Sequence, residues 1–143
     1  MKCYLDRDGV LNYNYSYVGT VSRFELIPGI IEIMQYLALK GYELIIITNQ
    51  SGIARNYYTI YDFYDLSFYM LNLFEQFNLN LEIRFCRHSP EQDCSCRKPK
   101  TGMINLDERD SRDIFIGDKA TDIEAGRRDG VQNLWLISDD INE

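Results

Sequence analysis

Hydrophobic and polar positions along this chain alternate between the short period of buried strands and the longer period of amphipathic helices. The apolar and β-branched runs predict five strands, at Lys2 to Leu5, Glu43 to Thr48, Leu81 to Cys86, Ile114 to Gly117 and Asn133 to Ile137. The intervening segments predict helices at Ile30 to Lys40, Thr59 to Phe77, Gly102 to Glu108 and Asp122 to Asp129. Residues 86 to 101 are predicted to form a loop.

Two of these helices have a recognisable apolar face. In the first, Ile30, Ile33, Met34 and Leu37 recur at helical spacing, Pro28-Gly29 precedes them, and Gly41 follows in the position typical of a helix end. The second is strongly aromatic, and its predicted buried face consists of Tyr61, Tyr64, Phe68, Leu71 and the Phe74/Glu75 position. We expect most of these aromatic residues to pack in the core or between helices.

Alternation of strands and helices predicts an α/β fold with a parallel sheet between helices. In such sheets, ligands bind beyond the carboxyl ends of the strands. Asp6 follows the first predicted strand, Thr48 ends the second, Lys98 follows the third through the loop, and Asp118 follows the fourth. The topology therefore brings four polar or charged groups to one edge.

Three carboxylates, Asp6, Asp8 and Asp118, are expected at this edge. They would repel one another strongly without a cation. Mg²⁺ prefers oxygen ligands and suits a site that also meets a phosphate, so it is the predicted ion. The alternative is that each aspartate only caps a turn or a helix.

The motifs at this edge resemble those of the haloacid dehalogenase (HAD) superfamily of phosphotransferases. The matching pieces are D-R-D-G at 6 to 9, T-N at 48 to 49, R-K-P at 97 to 99 and G-D-K-A-T-D at 117 to 122, in the family's order. The resemblance implies a Rossmann-like, HAD-type parallel sheet without a large cap domain. It also implies a Mg²⁺-dependent phosphatase that works through an aspartyl-phosphate.

The resemblance also implies roles for individual residues. Asp6 would be the nucleophile, and Asp8 would protonate the leaving alkoxide and then accept a proton from water. The Asp6 carboxylate, the Asp8 backbone carbonyl and Asp118 would bind Mg²⁺. Thr48 and Lys98 would hold the phosphoryl oxygens. Asp122 would orient Lys98 or the waters of the metal, or would cap a helix.

Composition limits the alternatives. A chain of 143 residues fits a single domain spanning 1–143, and a net charge of −7 argues against nucleic-acid binding. Because no apolar run has the length of a membrane span and no export signal is visible, we expect a cytoplasmic protein that does not bind membranes, a monomer by default. The acidic end, Asp139, Asp140 and Glu143, is expected to be a solvated terminus.

Three cysteines surround the chain's single histidine, in C-R-H-S-P-E-Q-D-C-S-C at 86 to 96. Cys86, His88, Cys94 and Cys96 suit a structural, tetrahedral Zn²⁺ site, although a vestigial loop or redox chemistry is also possible. Because this histidine belongs to the cluster, it is poorly placed as a hydrolase base. Cys3, in an apolar run, is expected to be a core residue.

Within the superfamily, this loop followed by C-R-K-P resembles the branch of D-glycero-D-manno-heptose 1,7-bisphosphate and histidinol-phosphate phosphatases. T-N-Q-S-G-I-A-R at 48 to 55 is similar to the heptose enzymes, whereas the short zinc loop and G-D-K-A-T-D at 117 to 122 are closer to the histidinol-phosphate enzymes. We favour the heptose substrate over histidinol phosphate, with a non-catalytic phosphate-binding relative and a phosphoprotein phosphatase as further alternatives.

This resemblance implies that a small phosphorylated metabolite is bound by residues of four segments. They are Asn14, Tyr15, Ser16, Tyr17, Thr48, Asn49, Gln50, Ser51, Arg97, Lys98 and Lys119. The chain departs from the heptose enzymes in the first segment, where those usually carry an acidic residue and a glycine. Asn56 also stands where a glycine is expected, and the chain ends soon after the fifth predicted strand.

Overall fold

The computed structural model describes residues 1–137, and its centre is a five-stranded parallel sheet. The strands are β1 (Lys2–Leu5), β2 (Glu43–Asn49), β3 (Leu81–Cys86), β4 (Ile114–Gly117) and β5 (Asn133–Leu136), in the order β3-β2-β1-β4-β5. All five predicted strands are confirmed, with ends that differ by at most one residue. The acidic end, which we expect to be solvated, lies outside the described residues.

Strand β1 occupies the middle of the sheet and is buried on both faces. Cys3 pairs with Leu44 of β2 on one side and with Ile114 of β4 on the other. Cys3 and Leu5 belong to one hydrophobic cluster, whereas Tyr4 belongs to the cluster on the opposite face. This alternation is what a two-faced core requires of a central strand. Cys3 is therefore a core residue, as its surroundings predict.

Two helices, α1 (Ile30–Leu39) and α2 (Ile60–Glu75), contribute side chains to the cluster on the first face. Ile30, Met34 and Leu37 of α1 are buried, but Ile33, expected on the same face, is 43% exposed. Helix α2 begins with a capping box, in which Thr59 Oγ1 accepts from the Asp62 N–H at 3.1 Å. Thr59 thus precedes the helix instead of starting it.

The buried face of α2 differs from the predicted one. Its buried residues are Phe63, Leu66, Met70 and Phe74. Of the five positions expected inside, only Phe74 is buried, and Tyr61 and Phe68 are 74% and 65% exposed. An aromatic sequence offers two apolar stripes at helical spacing, and the stripe with Leu66 and Met70 faces the sheet.

The second face carries one helix, α3 (Ala120–Arg128), together with two irregular segments. The cysteine loop and residues Met103 and Ile104 pack here against Tyr4 and Phe115. The helix predicted over Gly102 to Glu108 is wrong, because this stretch forms consecutive turns. Within the described residues, no cap domain is inserted, and the architecture is the parallel sheet between helices that the alternation of elements predicts.

Tertiary hydrogen bonds explain the turns in place of the expected helix. Gly102 N–H donates to the Ser95 carbonyl at 3.0 Å, and a Cβ on Gly102 would lie 2.4 Å from that same oxygen. At the other end, the Asp107 carboxylate accepts from Arg84 Nη1 at 2.7 Å and from the Tyr4 hydroxyl. Both ends are therefore tied to the sheet and the cysteine loop, which outweighs local helix propensity.

In residues 1–137, none of the helices combines the length and the apolar character needed to cross a membrane.

Candidate active site

A cleft of about 530 Å³ opens at the carboxyl ends of β1, β2 and β4. Most of the predicted substrate-binding residues line it, namely Asn14, Ser16, Tyr17, Asn49, Gln50, Ser51, Arg97, Lys98 and Lys119. Tyr15 does not, because its ring stacks on Tyr13 and its hydroxyl donates to Glu25 Oε1 at 2.8 Å. The cleft also includes Asp8 and is therefore the candidate active site.

Lys98 forms the buried charged centre of the site with Asp6 and Asp122. Its Nζ lies 2.8 Å from Asp6 Oδ1 and 2.7 Å from Asp122 Oδ1, and it donates to the Ile47 carbonyl at 2.8 Å. All three charged residues are less than 10% exposed. The predicted partnership of Asp122 with Lys98 is thus a direct ion pair.

Asp122 also serves the backbone of α3. Its Oδ2 accepts from the N–H groups of Asp118 and Lys119, each at 3.2 Å, so it caps the helix from inside the first turn. A Cβ on Gly117 would lie 2.2 Å from Asp122 Cβ. The glycine that ends β4 therefore allows Asp122 to fold back against the strand and reach Lys98.

Burial and charge compete in setting the protonation of this centre. Burial raises the pKa of Asp6 well above its ordinary value, although the Lys98 ammonium opposes the shift. Burial alone would lower the pKa of Lys98, but the carboxylates of Asp6 and Asp122 outweigh it and the pKa is raised. Contacts with Asp6 and Asp122 thus favour the ammonium form of Lys98.

Asp118 faces Asp6 across the edge of the sheet. Ligand oxygens of Asp6, Asp118 and Asp122 lie within 4.8 Å of one another, and burial raises the pKa of Asp118. Asp118 Oδ1 is buried and has no hydrogen-bond partner among the described residues. A hard cation would satisfy this oxygen and remove the repulsion, so the site fits Mg²⁺.

Gly9 makes this approach possible. It has a φ of +93°, which side chains rarely tolerate, and a Cβ there would lie 2.0 Å from Asp118 Oδ2. The glycine of the D-R-D-G motif therefore both turns the chain and leaves room for the third carboxylate.

The Asp8 carboxylate is held by three side chains of its surroundings. Arg7 Nη2 and Asn12 Nδ2 donate to its Oδ1 at 3.0 and 2.9 Å, and Gln50 Nε2 donates to its Oδ2 at 3.1 Å. Arg7 also donates to the Val18 carbonyl and is only 1% exposed. Asp8 lines the cleft, and all three contacts engage its side chain.

The last residues of β2 have different surroundings. Thr48, a predicted substrate contact, is fully buried and does not line the cleft, and its hydroxyl accepts from Gln50 Nε2 at 2.8 Å. The Asn49 amide pairs with the backbone of Lys98, accepting from its N–H at 3.0 Å and donating to its carbonyl at 3.3 Å. Asn49 therefore fixes the segment that carries Lys98.

The segment from Asn14 to Tyr17 has an unusual backbone. Ser16 and Tyr17 both adopt positive φ values, +61° and +53°. Arg23 Nη1 donates to the carbonyls of these two residues at 3.0 Å, which holds the turn in place. Asn56, where a glycine is expected, likewise has a φ of +61°. At Ser16, Tyr17 and Asn56, the chain therefore carries side chains on a backbone conformation that favours glycine.

Several residues of the site were missed in the sequence. Arg7 stands between the two aspartates, and an extended segment would turn it away from them. Tyr58 and Thr121 line the cleft beside the expected Arg97, whose buried Nη1 has no partner within residues 1–137. Arg55 also lines the cleft, as expected of the segment from Ser51 to Arg55 in the T-N-Q-S-G-I-A-R motif.

The four predicted zinc ligands converge. Cys86 Sγ lies 3.5 Å from Cys94 Sγ, and His88 Nδ1 lies 3.4 Å from Cys86 Sγ and 3.2 Å from Cys96 Sγ. Zn–S bonds of about 2.3 Å in a tetrahedron imply separations of roughly 3.5–4 Å, so the donor set fits Zn²⁺. All described cysteines are free thiols.

The electrostatics of this cluster favour a thiolate at Cys94, whereas burial raises the pKa values of Cys86 and Cys96. Burial opposes ionisation of Cys94, but the Arg97 N–H and the Cys86 thiol outweigh it and lower the pKa of Cys94 to about 6. The thiolate is the form that binds metals. The Arg97 N–H lies 3.4 Å from Cys94 Sγ, which connects the cluster directly to the cleft.

Comparisons with known proteins extend over nearly the whole chain. A family model described as polynucleotide kinase 3 phosphatase matches residues 12–133. D-glycero-beta-D-manno-heptose-1,7-bisphosphate 7-phosphatase of Helicobacter pylori is 42% identical over 141 residues, covering 94% of this chain and 82% of the relative. D-glycero-alpha-D-manno-heptose-1,7-bisphosphate 7-phosphatase of Campylobacter jejuni is 40% identical over 148 residues, covering 98% and 84%.

A solved structure agrees with these sequence matches. The chain superimposes on D,D-heptose 1,7-bisphosphate phosphatase from B. bronchiseptica, complexed with magnesium and phosphate, with a TM-score of 0.86 and 28% identity. The match covers 95% of this chain and 80% of that structure. The similarity therefore includes both the sheet and the edge at which the cleft opens.

Proposed function

This chain belongs to the HAD family of heptose bisphosphate phosphatases, and on that premise we propose that it removes the 7-phosphate of D-glycero-D-manno-heptose 1,7-bisphosphate. Such a reaction belongs to carbohydrate metabolism. The observation that carries the proposal is the buried Asp6–Lys98–Asp122 centre, with Asp118 beside it, at the edge where Asp8 lines a cleft.

Asp6 is the proposed nucleophile. Its carboxylate oxygen forms a bond to phosphorus while the bond from phosphorus to the sugar oxygen breaks. The Arg7 N–H and Lys98 Nζ donate to Oδ1 at 2.9 and 2.8 Å, which leaves Oδ2 as the oxygen free of these donors. Fixing one oxygen orients the other, so the nucleophile is positioned before substrate binds.

Asp8 is the proposed proton carrier. It donates a proton to the departing sugar oxygen, then accepts one from the water that attacks the aspartyl-phosphate, which releases phosphate and regenerates Asp6. Contacts from Arg7, Asn12 and Gln50 hold its carboxylate in a single orientation. Thr48 and Lys98 are the proposed contacts of the phosphoryl oxygens.

Two metal ions are part of the proposal. Asp6, Asp118 and the Asp8 carbonyl would hold Mg²⁺, which when bound neutralises charge on the phosphoryl group. Cys86, His88, Cys94 and Cys96 would hold a structural Zn²⁺. Asp122 is left to Lys98 and to the start of α3, because both of its oxygens are already engaged.

The cations of the cleft favour a substrate with two phosphates. Arg55, Arg97 and Lys119 line it in addition to Lys98, and none of these three is fully buried. A second phosphate would be attracted to them, whereas the ammonium group of histidinol phosphate would be repelled. The heptose bisphosphate is therefore preferred over histidinol phosphate, the alternative left open by the zinc-loop spacing.

We further propose that the protein acts as a cytoplasmic monomer on a small metabolite. Four free cysteines within residues 1–137 fit a reducing compartment. The net charge of −7 disfavours a polynucleotide substrate, despite the description of the matching family model.

A phosphate-release panel tests the function. We expect Mg²⁺-dependent turnover of heptose 1,7-bisphosphate, supplied as both anomers because the named relatives differ in this, with little release from histidinol phosphate, a phosphopeptide or a 3′-phosphorylated oligonucleotide. Asp6→Asn should abolish turnover. Asp65→Asn, at an exposed position of α2, is the matched control and should retain it.

Two results would contradict the proposal. One is a wild-type protein that releases no phosphate from either anomer with Mg²⁺ present. The other is turnover that persists in Asp6→Asn, since the nucleophile would then lie elsewhere. A preference for histidinol phosphate would keep the phosphatase chemistry but reverse the assignment of substrate.

A further inference from the structure

Gln50 has the position of a substrate contact but the hydrogen bonds of an internal residue. It is 2% exposed. Its Nε2 donates to Asp8 Oδ2 at 3.1 Å and to Thr48 Oγ1 at 2.8 Å, and its Oε1 accepts from the Tyr58 hydroxyl. Every donor and acceptor of the amide therefore faces a protein group, and two of these groups belong to the reaction.

Tyr58 is packed between the two loops that border the cleft. A Cβ on Gly19 or on Gly52 would lie 2.4 Å from an atom of the Tyr58 ring. Neither glycine has a left-handed φ, so their lack of a side chain is explained by room for this ring. The ring thereby joins the loop that follows β1 to the loop that follows β2.

The Tyr58 hydroxyl is a donor under ordinary conditions. Burial raises the pKa of Tyr58 to about 12, with Arg7 opposing the shift, so the phenol keeps its proton near neutral pH. Its proton therefore selects the oxygen end of the Gln50 amide. The NH₂ end is then turned to Asp8 and Thr48.

The direction of the amide matters because a carboxylate only accepts hydrogen bonds. If the amide were reversed, Gln50 Oε1 would face the Asp8 carboxylate without a proton between them. Arg7 and Asn12 approach Asp8 chiefly at Oδ1, whereas Gln50 approaches Oδ2. Gln50 therefore supplies an orienting contact on the other oxygen.

We propose that Tyr58 and Gln50 are a positioning pair, in which the Tyr58 hydroxyl fixes the Gln50 amide so that it holds the Asp8 carboxylate in its working orientation. The inference rests on the proposed function, because it requires Asp8 to transfer the proton. Neither residue needs to touch the substrate. The pair explains why an amide that borders the cleft is turned inward.

The first test compares two leaving groups. The leaving group of heptose 1,7-bisphosphate is an alkoxide that needs a proton. The leaving group of p-nitrophenyl phosphate is p-nitrophenolate, which departs without one. Because one positioning hydrogen bond is worth about tenfold in rate, we expect Tyr58→Phe to lower kcat/KM about tenfold for the sugar and less than threefold for the nitrophenyl ester. Tyr61→Phe, at a hydroxyl that is 74% exposed, should change neither.

The second test is a double-mutant cycle. Gln50→Met removes both ends of the amide at nearly constant size. If Tyr58 acts through Gln50, adding Tyr58→Phe to Gln50→Met should cause no further loss for the sugar ester. Melting curves of all variants confirm that folded protein is compared.

Three outcomes would overturn the pair. They are full activity of Tyr58→Phe on the sugar ester, equal losses on both esters, and a Tyr58→Phe effect that is undiminished in the Gln50→Met protein. Failure of the proposed function is distinguishable, because the wild-type protein would then hydrolyse neither ester with Mg²⁺, or Asp6→Asn would keep its activity.

Discussion

At the scale of single residues, Lys98 carries the greatest electrostatic constraint. Its ammonium is buried between Asp6 and Asp122, at 2.8 and 2.7 Å. Removing one partner of a buried ion pair leaves an uncompensated charge, which typically costs about 3–5 kcal/mol. Since Asp6 needs the same lysine for its orientation, the pairing affects both the stability and the chemistry of the site.

We therefore expect Asp122→Asn to reduce activity more than a simple loss of stability would. The amide can still accept the N–H groups at the start of α3, but it no longer balances the charge of Lys98. We expect kcat/KM to fall at least about tenfold, as expected for a lost charge-assisted hydrogen bond, with a lower Tm. Steady-state kinetics on heptose bisphosphate below the Tm measure this.

The matched control is Glu124→Gln on the same helix, because within residues 1–137 Glu124 pairs only with the exposed Arg127 and Arg128. Surface pairs of this kind contribute about 0–1 kcal/mol, so activity and Tm should change little. If Asp122→Asn has a lower Tm but keeps the kcat/KM of the wild-type protein, the role of Asp122 is only structural.

Much of the site could be predicted from the sequence, for a physical reason. Asp6 and Asp118 each follow a recognisable strand, Thr48 lies at the end of another, and parallel topology brings strand ends together. Arg7 could not be found in this way, because its guanidinium returns to Asp8 against the alternation of an extended chain. Tyr58 depends on packing against loops, for which the sequence has no periodic pattern.

At the scale of elements, the strands were predictable and the helices only partly. Strands of a buried parallel sheet are continuous apolar runs, which few other structures require. Helix α2 offered two apolar stripes, and only the shape of the sheet decides between them. The turns at 102–108 are tied to the sheet by the contact between Asp107 and Arg84 of β3. These two residues are 23 positions apart in the sequence, so no local pattern indicates their contact.

The buried face of α2 can be tested with two substitutions of equal kind. Leu66 is fully buried, whereas Phe68 is 65% exposed. We expect Leu66→Ala to lower the free energy of unfolding by about 2–5 kcal/mol, because it leaves a cavity against the sheet. Phe68→Ala should change it by less than about 1 kcal/mol. Urea denaturation measures both, and similar losses would contradict the assigned face.

At the scale of the whole molecule, the cysteine cluster connects an edge strand to the active site. Cys86 ends β3, and the Arg97 N–H contacts Cys94 Sγ immediately before Lys98. The backbone of Lys98 is also held by Asn49. The position of Lys98 therefore depends on two contacts, the one between Arg97 and Cys94 and the one with Asn49. A metal at the cluster would stabilise only the first.

We expect removal of zinc with a selective chelator, followed by restoration of Mg²⁺, to lower both stability and activity. The Tm should fall by roughly 10 °C or more, because a structural metal contributes directly to folding free energy. At a temperature where the protein stays folded, zinc removal should lower the activity of Asn49→Ala by a larger factor than the activity of the wild-type protein. Equal turnover of zinc-loaded and zinc-free protein at matched folding would disprove the link to Lys98.

The central position of β1 has a consequence for the order in which the chain is made. The Lys2 N–H finds its acceptor, Asp113, 111 residues later. At a synthesis rate of about 5–20 residues per second, one edge of β1 stays unpaired for roughly 5–20 s. Unpaired strand edges invite association with other chains, so this interval is the vulnerable part of biogenesis. Asp6 and Asp118 meet only when β4 docks, and a nascent chain therefore cannot assemble its candidate active site before β4 has been made.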